Sequence, residues 1–63
     1  MTRLECNIVN FLRTNAGAWT TAEIAKRITA HGTEVQSALH DLDDNGWVTM
    51  KNGLYQASAK ALS

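Results

Sequence analysis

The chain has 63 residues, with six Lys or Arg, six Asp or Glu, and a formal net charge of zero. A domain of this length buries only about 60% of its unfolded surface, so we expect one small domain with a single core. The hydrophobic fraction of 44% argues against intrinsic disorder. The balanced charge is unusual for a DNA-binding protein, because phosphate neutralisation supplies much of the affinity of that class.

The apolar runs are too short to span a membrane, and the N-terminus has no signal-peptide pattern. A single cysteine, Cys6, has no partner for an internal disulfide, and we expect it to be a small buried apolar residue. These features predict a soluble, cytoplasmic protein with no membrane partner.

The signature of a capping box occurs three times. In a capping box, a Thr hydroxyl accepts a first-turn N–H, and a Glu or Gln three residues later reaches back to the Thr N–H. The three pairs are Thr2 with Glu5, Thr20 with Glu23, and Thr33 with Gln36. They predict the starts of three helices.

Apolar residues recur at helical spacing after each start, which predicts helices over residues 3–15, 21–30 and 34–45. Gly17 and Gly46 follow the first and third helices, and we expect them to end those helices in the left-handed conformation. The predicted core consists of Leu4, Ile8, Val9, Phe11, Leu12, Ile24, Ala25, Ile28, Val35, Ala38, Leu39 and Leu42.

After the third helix the apolar pattern alternates, as in strands. The segments "WVTMK" and "LYQAS" flank an Asn-Gly pair at positions 52–53, which favours a type I′ hairpin turn. A two-residue turn pairs Met50 with Tyr55 and Val48 with Ala57, and we expect these four residues to face the core.

This order of elements predicts a mainly α fold with a small β-hairpin (α+β), namely a three-helix winged helix-turn-helix. We assign it to residues 1–58. We expect residues 59–63 to form a flexible tail that is frayed or weakly helical.

The segment "TAEIAKRI…VQSALHDLDDNGWV" resembles the winged helix-turn-helix regulators of bacterial transcription. It most resembles the small fimbrial-operon (pap-type) activator family, whose members also begin with an "IxxFL" helix. The matching residues are Ile8, Phe11, Leu12, Thr21 to Ala25, Leu39, Leu42, Gly46 and Val48. The resemblance implies a small DNA-binding transcriptional regulator from a bacterium or phage.

The resemblance also implies a DNA interface. The N-terminal half of the third helix would enter the major groove of double-stranded DNA. The side chains opposite the core would contact bases, namely Thr33, Gln36, Ser37 and His40. Gln36 would suit adenine, because an amide offers a donor and an acceptor together. The cations expected on phosphates are Lys26, Arg27 and Lys51. A monomer would bind modestly, so we expect a homodimer or a protein co-regulator.

The acidic third helix supports a different hypothesis. Between Ile28 and Met50 there is no Lys or Arg, and the third helix carries Glu34, Asp41, Asp43 and Asp44. A winged helix of this charge is compatible with a protein–protein interaction module that uses its third helix and wing and does not bind DNA.

No catalytic set, cofactor motif or complete metal site is visible. The segment "DLDDNG" begins like a calcium-binding loop, but the closing Glu of such a loop would fall at Asn52. His40 and Asp44 are one helical turn apart and are too few for a structural zinc site. We therefore expect no enzyme activity, no cofactor and no metal.

Overall fold

The computed structural model describes residues 1–63 and contains four helices and one antiparallel hairpin. The elements are α1 (Arg3–Thr14), α2 (Thr21–Ile28), α3 (Gly32–Asp44), β1 (Val48–Lys51), β2 (Leu54–Ala57) and α4 (Ala59–Leu62). This confirms the predicted α+β fold, in which three helices in a helix-turn-helix arrangement are followed by a hairpin wing.

Two of the three predicted capping boxes are confirmed. At the start of α1, Glu5 N–H donates to Thr2 Oγ1 at 3.1 Å, and Thr2 N–H donates to Glu5 Oε1 at 2.8 Å. At the start of α2, the corresponding distances between Thr20 and Glu23 are 3.1 and 3.0 Å. Each box satisfies backbone N–H groups that a helix start otherwise leaves without partners.

The third predicted capping box is wrong. The helix α3 begins at Gly32, and its N-cap residue is His31, whose side chain makes no capping hydrogen bond. Thr33 therefore lies inside the first turn, where its N–H and C=O already follow helical geometry. The Thr33 hydroxyl cannot act as an N-cap, because the helix has already begun at Gly32.

The core is formed by one face of each long helix and by the inner residues of the hairpin. Its buried members are Ile8, Val9, Leu12, Ile24, Ala25, Val35, Ala38, Leu39, Leu42, Val48, Tyr55 and Ala61. Most of the predicted core is thereby confirmed, while Leu4, Phe11 and Ile28 are only partly buried against it. Cys6, which we expected to be buried, is exposed.

The helices α2 and α3 end in similar turns. In α3, Trp47 N–H donates to Leu42 C=O at 2.9 Å around Gly46, whose φ is +80°. Gly46 N–H donates to Asp43 C=O at 3.1 Å, which completes a Schellman motif and confirms the predicted end of α3.

The end of α2 was predicted two residues too late. The helix stops at Ile28, because Thr29 adopts a left-handed conformation with a φ of +57°. Ala30 N–H then donates to Ala25 C=O at 2.9 Å, so the chain turns away from the helix axis. A β-branched residue rarely adopts this conformation, and for that reason sequence patterns did not place the helix end here.

The hairpin has the predicted register, with Met50 opposite Tyr55 and Val48 opposite Ala57. Both turn residues at positions 52–53 have positive φ, as a type I′ turn requires. However, Met50 is 50% exposed, so its predicted place in the core is wrong. The outer edge of β1 has no neighbouring strand, and the chain provides no cover for this side chain near the turn.

The inner edge of the hairpin is covered by Trp19. Trp19 N–H donates to Tyr55 C=O at 2.9 Å, and Tyr55 N–H donates to Trp19 C=O at 2.7 Å. This bridge fastens the segment between α1 and α2 to β2. It accounts for the burial of Tyr55, although Met50 directly opposite is exposed.

The C-terminal tail contains the short helix α4, with Ser58 as its N-cap. Ala61 of this helix is buried in the core. Lys60 Nζ donates to Asn45 C=O at 2.9 Å and lies 4.4 Å from the centroid of the Trp47 ring. A cation thereby reaches the negative end of the α3 dipole, whose own last turn has no basic residue.

Candidate nucleic-acid interface

The helix α3 has a fully buried inner face and an exposed polar outer face. Val35 and Leu39 have no exposed surface, and Leu42 is 1% exposed. Close packing of this kind holds a helix in one orientation. The four residues that we predicted to contact bases are all exposed, namely Thr33, Gln36, Ser37 and His40. Their hydrogen-bonding side chains are therefore carried by a rigidly packed helix.

The start of α3 leaves backbone donors free. The first hydrogen bond of the helix joins Val35 N–H to His31 C=O at 3.0 Å. The N–H groups of residues 32–34 precede this bond and have no acceptor within the chain. Free N–H groups at a helix start, together with the positive end of the helix dipole, favour contact with an anion such as a phosphate.

Gln36 is connected to α2. Its Oε1 accepts a hydrogen bond from the Thr21 hydroxyl at 2.8 Å. Its Nε2 donates to no group within the chain. The sequence pattern assigned Gln36 to a capping box with Thr33, but the structure turns the amide towards the first residue of α2 instead.

His40 lies one turn further along α3 and faces Asp44. The distance from His40 Nδ1 to Asp44 Oδ2 is 3.6 Å, and both side chains are more than two-thirds exposed. Asp41 adds a third potential ligand atom, and the three atoms lie within 4.8 Å of one another. Exposed groups of this kind are well solvated, and by themselves they do not define a metal site.

Ser37 is at the border between the outer face of α3 and an acidic groove. The groove is shallow and runs between the start of α1 and α3, where Glu5, Glu34 and Asp41 contribute three carboxylates. Ser37 therefore lies beside negative charge that would repel DNA phosphates, as His40 does beside Asp44.

The three predicted phosphate-contacting cations lie in different places. Lys26 is exposed and lines a hollow beside the turn from α2 to α3, together with Thr29 and His31. The Arg27 guanidinium lies over the Trp19 ring, 5.1 Å from its centroid. Lys51 is exposed at the end of β1, and no hydrogen bond or ion pair connects it with α2 or α3. Of the three, only Lys26 lines a hollow that also includes His31, the N-cap residue of α3.

The charged groups are largely unpaired. No Lys or Arg is paired with an Asp or Glu, and the one contact between a basic and an acidic side chain joins His40 and Asp44. At the start of α2, hydrogen bonds from the Thr20 N–H and hydroxyl hold the pKa of Glu23 below its usual value, and Arg27 adds a smaller effect in the same direction. Glu23 is consequently ionised at neutral pH.

Three contacts around α2 and α3 were not predicted from the sequence. They are the Thr21–Gln36 hydrogen bond, the stacking of Arg27 on Trp19, and the placement of Lys60 at the end of α3. The only sequence signal for the first was the position of Thr21 at the beginning of α2, which exposes its hydroxyl to a neighbouring helix. The other two join residues from elements without a shared local pattern.

The fold and the exposed face of α3 define a small helix-turn-helix-like domain with a hairpin wing. Comparisons with protein-family models, with curated proteins and with solved structures found no match to this chain. No helix of the protein has both the length and the apolar character that crossing a membrane requires.

Proposed function

We propose that this protein is a small sequence-specific DNA-binding regulator of transcription, with α3 in the major groove of double-stranded DNA. The observation that carries the proposal is the exposed outer face of α3, which offers polar side chains on a helix whose other face is fully packed. A major groove admits one helix, and side chains of this type hydrogen-bond to base edges. The resemblance to fimbrial-operon regulators favours a bacterial or phage protein that acts in the cytoplasm.

The turn between α2 and α3 supports a phosphate contact next to this face. Here Lys26 lines a hollow together with His31, the residue that immediately precedes the free N–H groups of residues 32–34. No ion pair occupies Lys26, so its positive charge is available to DNA. Because the chain has no net charge, this contact has a large share in the affinity, and a second copy or a co-regulator would supply the rest.

Selection from a randomised duplex library at low salt tests the proposal. We expect one sequence to be enriched. Gln36→Ala and His40→Ala should each change the preferred base at one position, whereas Lys26→Ala should weaken all sequences alike and reduce the salt slope by about 1. If no sequence is enriched and nonspecific binding is also undetectable, the protein is not a DNA-binding regulator.

The matched control is Arg13→Ala, which removes the same charge from the last turn of α1. We expect it to affect binding less than Lys26→Ala does, because Arg13 is not on α2 or α3. Equal effects of the two changes would mean that binding follows net charge alone, and the assignment of Lys26 would be wrong.

A second candidate function is a protein–protein interaction module, which the acidic groove between α1 and α3 favours. Carboxylates of Glu5, Glu34 and Asp41 line this groove and would attract a basic segment of a partner. In an amide-shift titration, duplex DNA would leave the spectrum unchanged. A partner obtained by affinity capture would be lost with Glu34→Lys and retained with Gln36→Ala.

A further inference from the structure

The Thr21–Gln36 hydrogen bond bears on which base Gln36 contacts, and this inference rests on the proposed function. An adenine edge offers one acceptor and one donor in the major groove, so a Gln side chain reads it with both its oxygen and its nitrogen. A guanine edge offers two acceptors, O6 and N7, and needs donors only. The choice depends on which atoms of the amide are free.

In this molecule the oxygen of Gln36 is engaged. Thr21 donates its hydroxyl hydrogen to Oε1 over 2.8 Å. Because the amide is planar and Oε1 faces the Thr21 hydroxyl, Nε2 is turned away from that hydroxyl. Nε2 has two N–H donors, and neither has an acceptor within the chain.

We propose that Thr21 is a positioning residue: its hydroxyl occupies one of the two lone pairs of Gln36 Oε1 and holds this oxygen against α2. Gln36 then presents its N–H donors to the major groove, which selects guanine over adenine. Two N–H donors match the two acceptors of guanine. Adenine leaves one of its groups, the N6 amino donor, facing an amide whose oxygen is directed towards α2. Cytosine is the least favourable base, because its N4 amino donor would face the N–H donors of Gln36.

The first test uses the free protein and needs no DNA. Gln56 is the matched control, because it is also exposed and has no side-chain hydrogen bond within the chain. Nitrogen-15 relaxation of the side-chain NH₂ groups should show a more restrained Gln36 than Gln56. Thr21→Val should release Gln36 and leave Gln56 unchanged, and Thr21→Ser should keep Gln36 restrained. Equal mobility of the two amides in the unaltered protein overturns the inference, whether or not DNA is bound.

The second test measures base preference. The base position that Gln36 contacts is the one at which Gln36→Ala changes the preference of the full chain for its selected duplex. At that position we expect guanine to be favoured over adenine by roughly 5- to 150-fold, the range of a good two-bond contact. Thr21→Val should reduce this ratio several-fold, because Oε1 becomes free to accept from adenine, while Thr21→Ser should preserve it.

The ratio of the two affinities separates positioning from a structural effect, since a general loss of folding weakens both duplexes equally. A preference for adenine in the unaltered protein, or an unchanged ratio in Thr21→Val, overturns the inference and leaves the proposed function intact. An absence of binding to any duplex overturns both.

Discussion

The helices α2 and α3 end in the same way but begin differently. Each ends with a 6→1 hydrogen bond around one left-handed residue, which is Thr29 in α2 and Gly46 in α3. The start of α2 is closed by a capping box between Thr20 and Glu23, whereas the start of α3 has no side-chain cap. The same sequence signature therefore forms a cap in one helix and none in the next.

Backbone strain at the end of α2 and free N–H donors at the start of α3 therefore lie in the same turn, between the two helices. Thr29 holds an unfavourable left-handed conformation, and the N–H groups of residues 32–34 lack acceptors. Lys26 lines a hollow beside the same turn, together with Thr29 and His31. At the other ends of the two helices the backbone groups have partners, through the Thr20 capping box at the start of α2 and the Gly46 turn at the end of α3. The turn between the helices is thus the least satisfied part of the helix-turn-helix, as expected where a phosphate would bind.

Replacing the left-handed glycine of α3 should have the largest effect. We expect Gly46→Ala to destabilise the protein by about 1–2 kcal/mol, because an L-residue is unfavourable at this φ. The nearest atom to a new Cβ would be Lys60 Cδ at 3.9 Å, an ordinary contact, so the loss would be due to the backbone.

Urea unfolding measures this loss. The matched control is Gly32→Ala, since Gly32 has no positive φ and no neighbouring atom within 4 Å of a new Cβ. It should be neutral or slightly stabilising. Equal losses for Gly32→Ala and Gly46→Ala would contradict the different conformations of the two glycines.

Removing the cap of α2 should have the next largest effect. Thr20→Ala should lower the free energy of unfolding by about 1 kcal/mol, within a usual range of 0.5–2 kcal/mol, because Glu23 N–H loses its acceptor. Thermal unfolding followed by circular dichroism should show a Tm lower by roughly 4–8 °C per kcal/mol. An unchanged Tm would mean that the capping box does not stabilise α2.

Relieving the left-handed threonine of α2 should stabilise the protein. In Thr29→Gly the left-handed conformation no longer carries the steric cost of a β-branched residue, but glycine raises the conformational entropy of the unfolded chain. We therefore expect the free energy of unfolding to rise by a net amount of about 0.5–1 kcal/mol. Thr29→Ala keeps the Cβ, so its free energy of unfolding should stay close to that of the unaltered protein. A loss of stability in Thr29→Gly would show that other contacts of Thr29 outweigh the strain of its backbone.

The pH dependence of stability should report the cap of α2. The pKa of Glu23 is lowered in the folded protein, chiefly by the Thr20 N–H. The stability that Glu23 contributes to the folded protein is therefore fully present above the usual carboxylate pKa. It is lost as the pH falls through the lowered pKa of the folded state. Since the side chain is exposed, the effect should be small. On acidification, the unaltered protein should lose slightly more stability than Glu23→Gln, and equal losses would argue against the shift.

Replacing Thr33 should have the smallest effect. Thr33→Ala should change the free energy of unfolding by less than about 0.5 kcal/mol, because the Thr33 hydroxyl caps nothing. The experiment is the direct counterpart of Thr20→Ala in the same urea titration. A loss as large as that of Thr20→Ala would mean that α3 begins with the capping box that the sequence predicts.

Features that depend on neighbouring residues were predictable from the sequence. The caps at Thr2 and Thr20, the glycine that ends α3, and the Asn-Gly turn at 52–53 are all recognised within a few residues of chain. The apolar stripes that bury Ile8, Leu39 and similar residues follow from helical period alone. These local signals were sufficient to predict the number of long helices, the hairpin register and the outer face of α3.

Features that depend on distant residues were decided only by the tertiary structure. Gln36 bonds to Thr21 because α2 crosses α3 at that point, and this contact competes with a local cap. Lys60 reaches the end of α3 because α4 folds back onto the core. Met50 is exposed and Tyr55 is buried because only one edge of the hairpin has Trp19 beside it. A local pattern specifies what each segment prefers, but the neighbours brought together by folding determine which hydrogen bond a side chain makes.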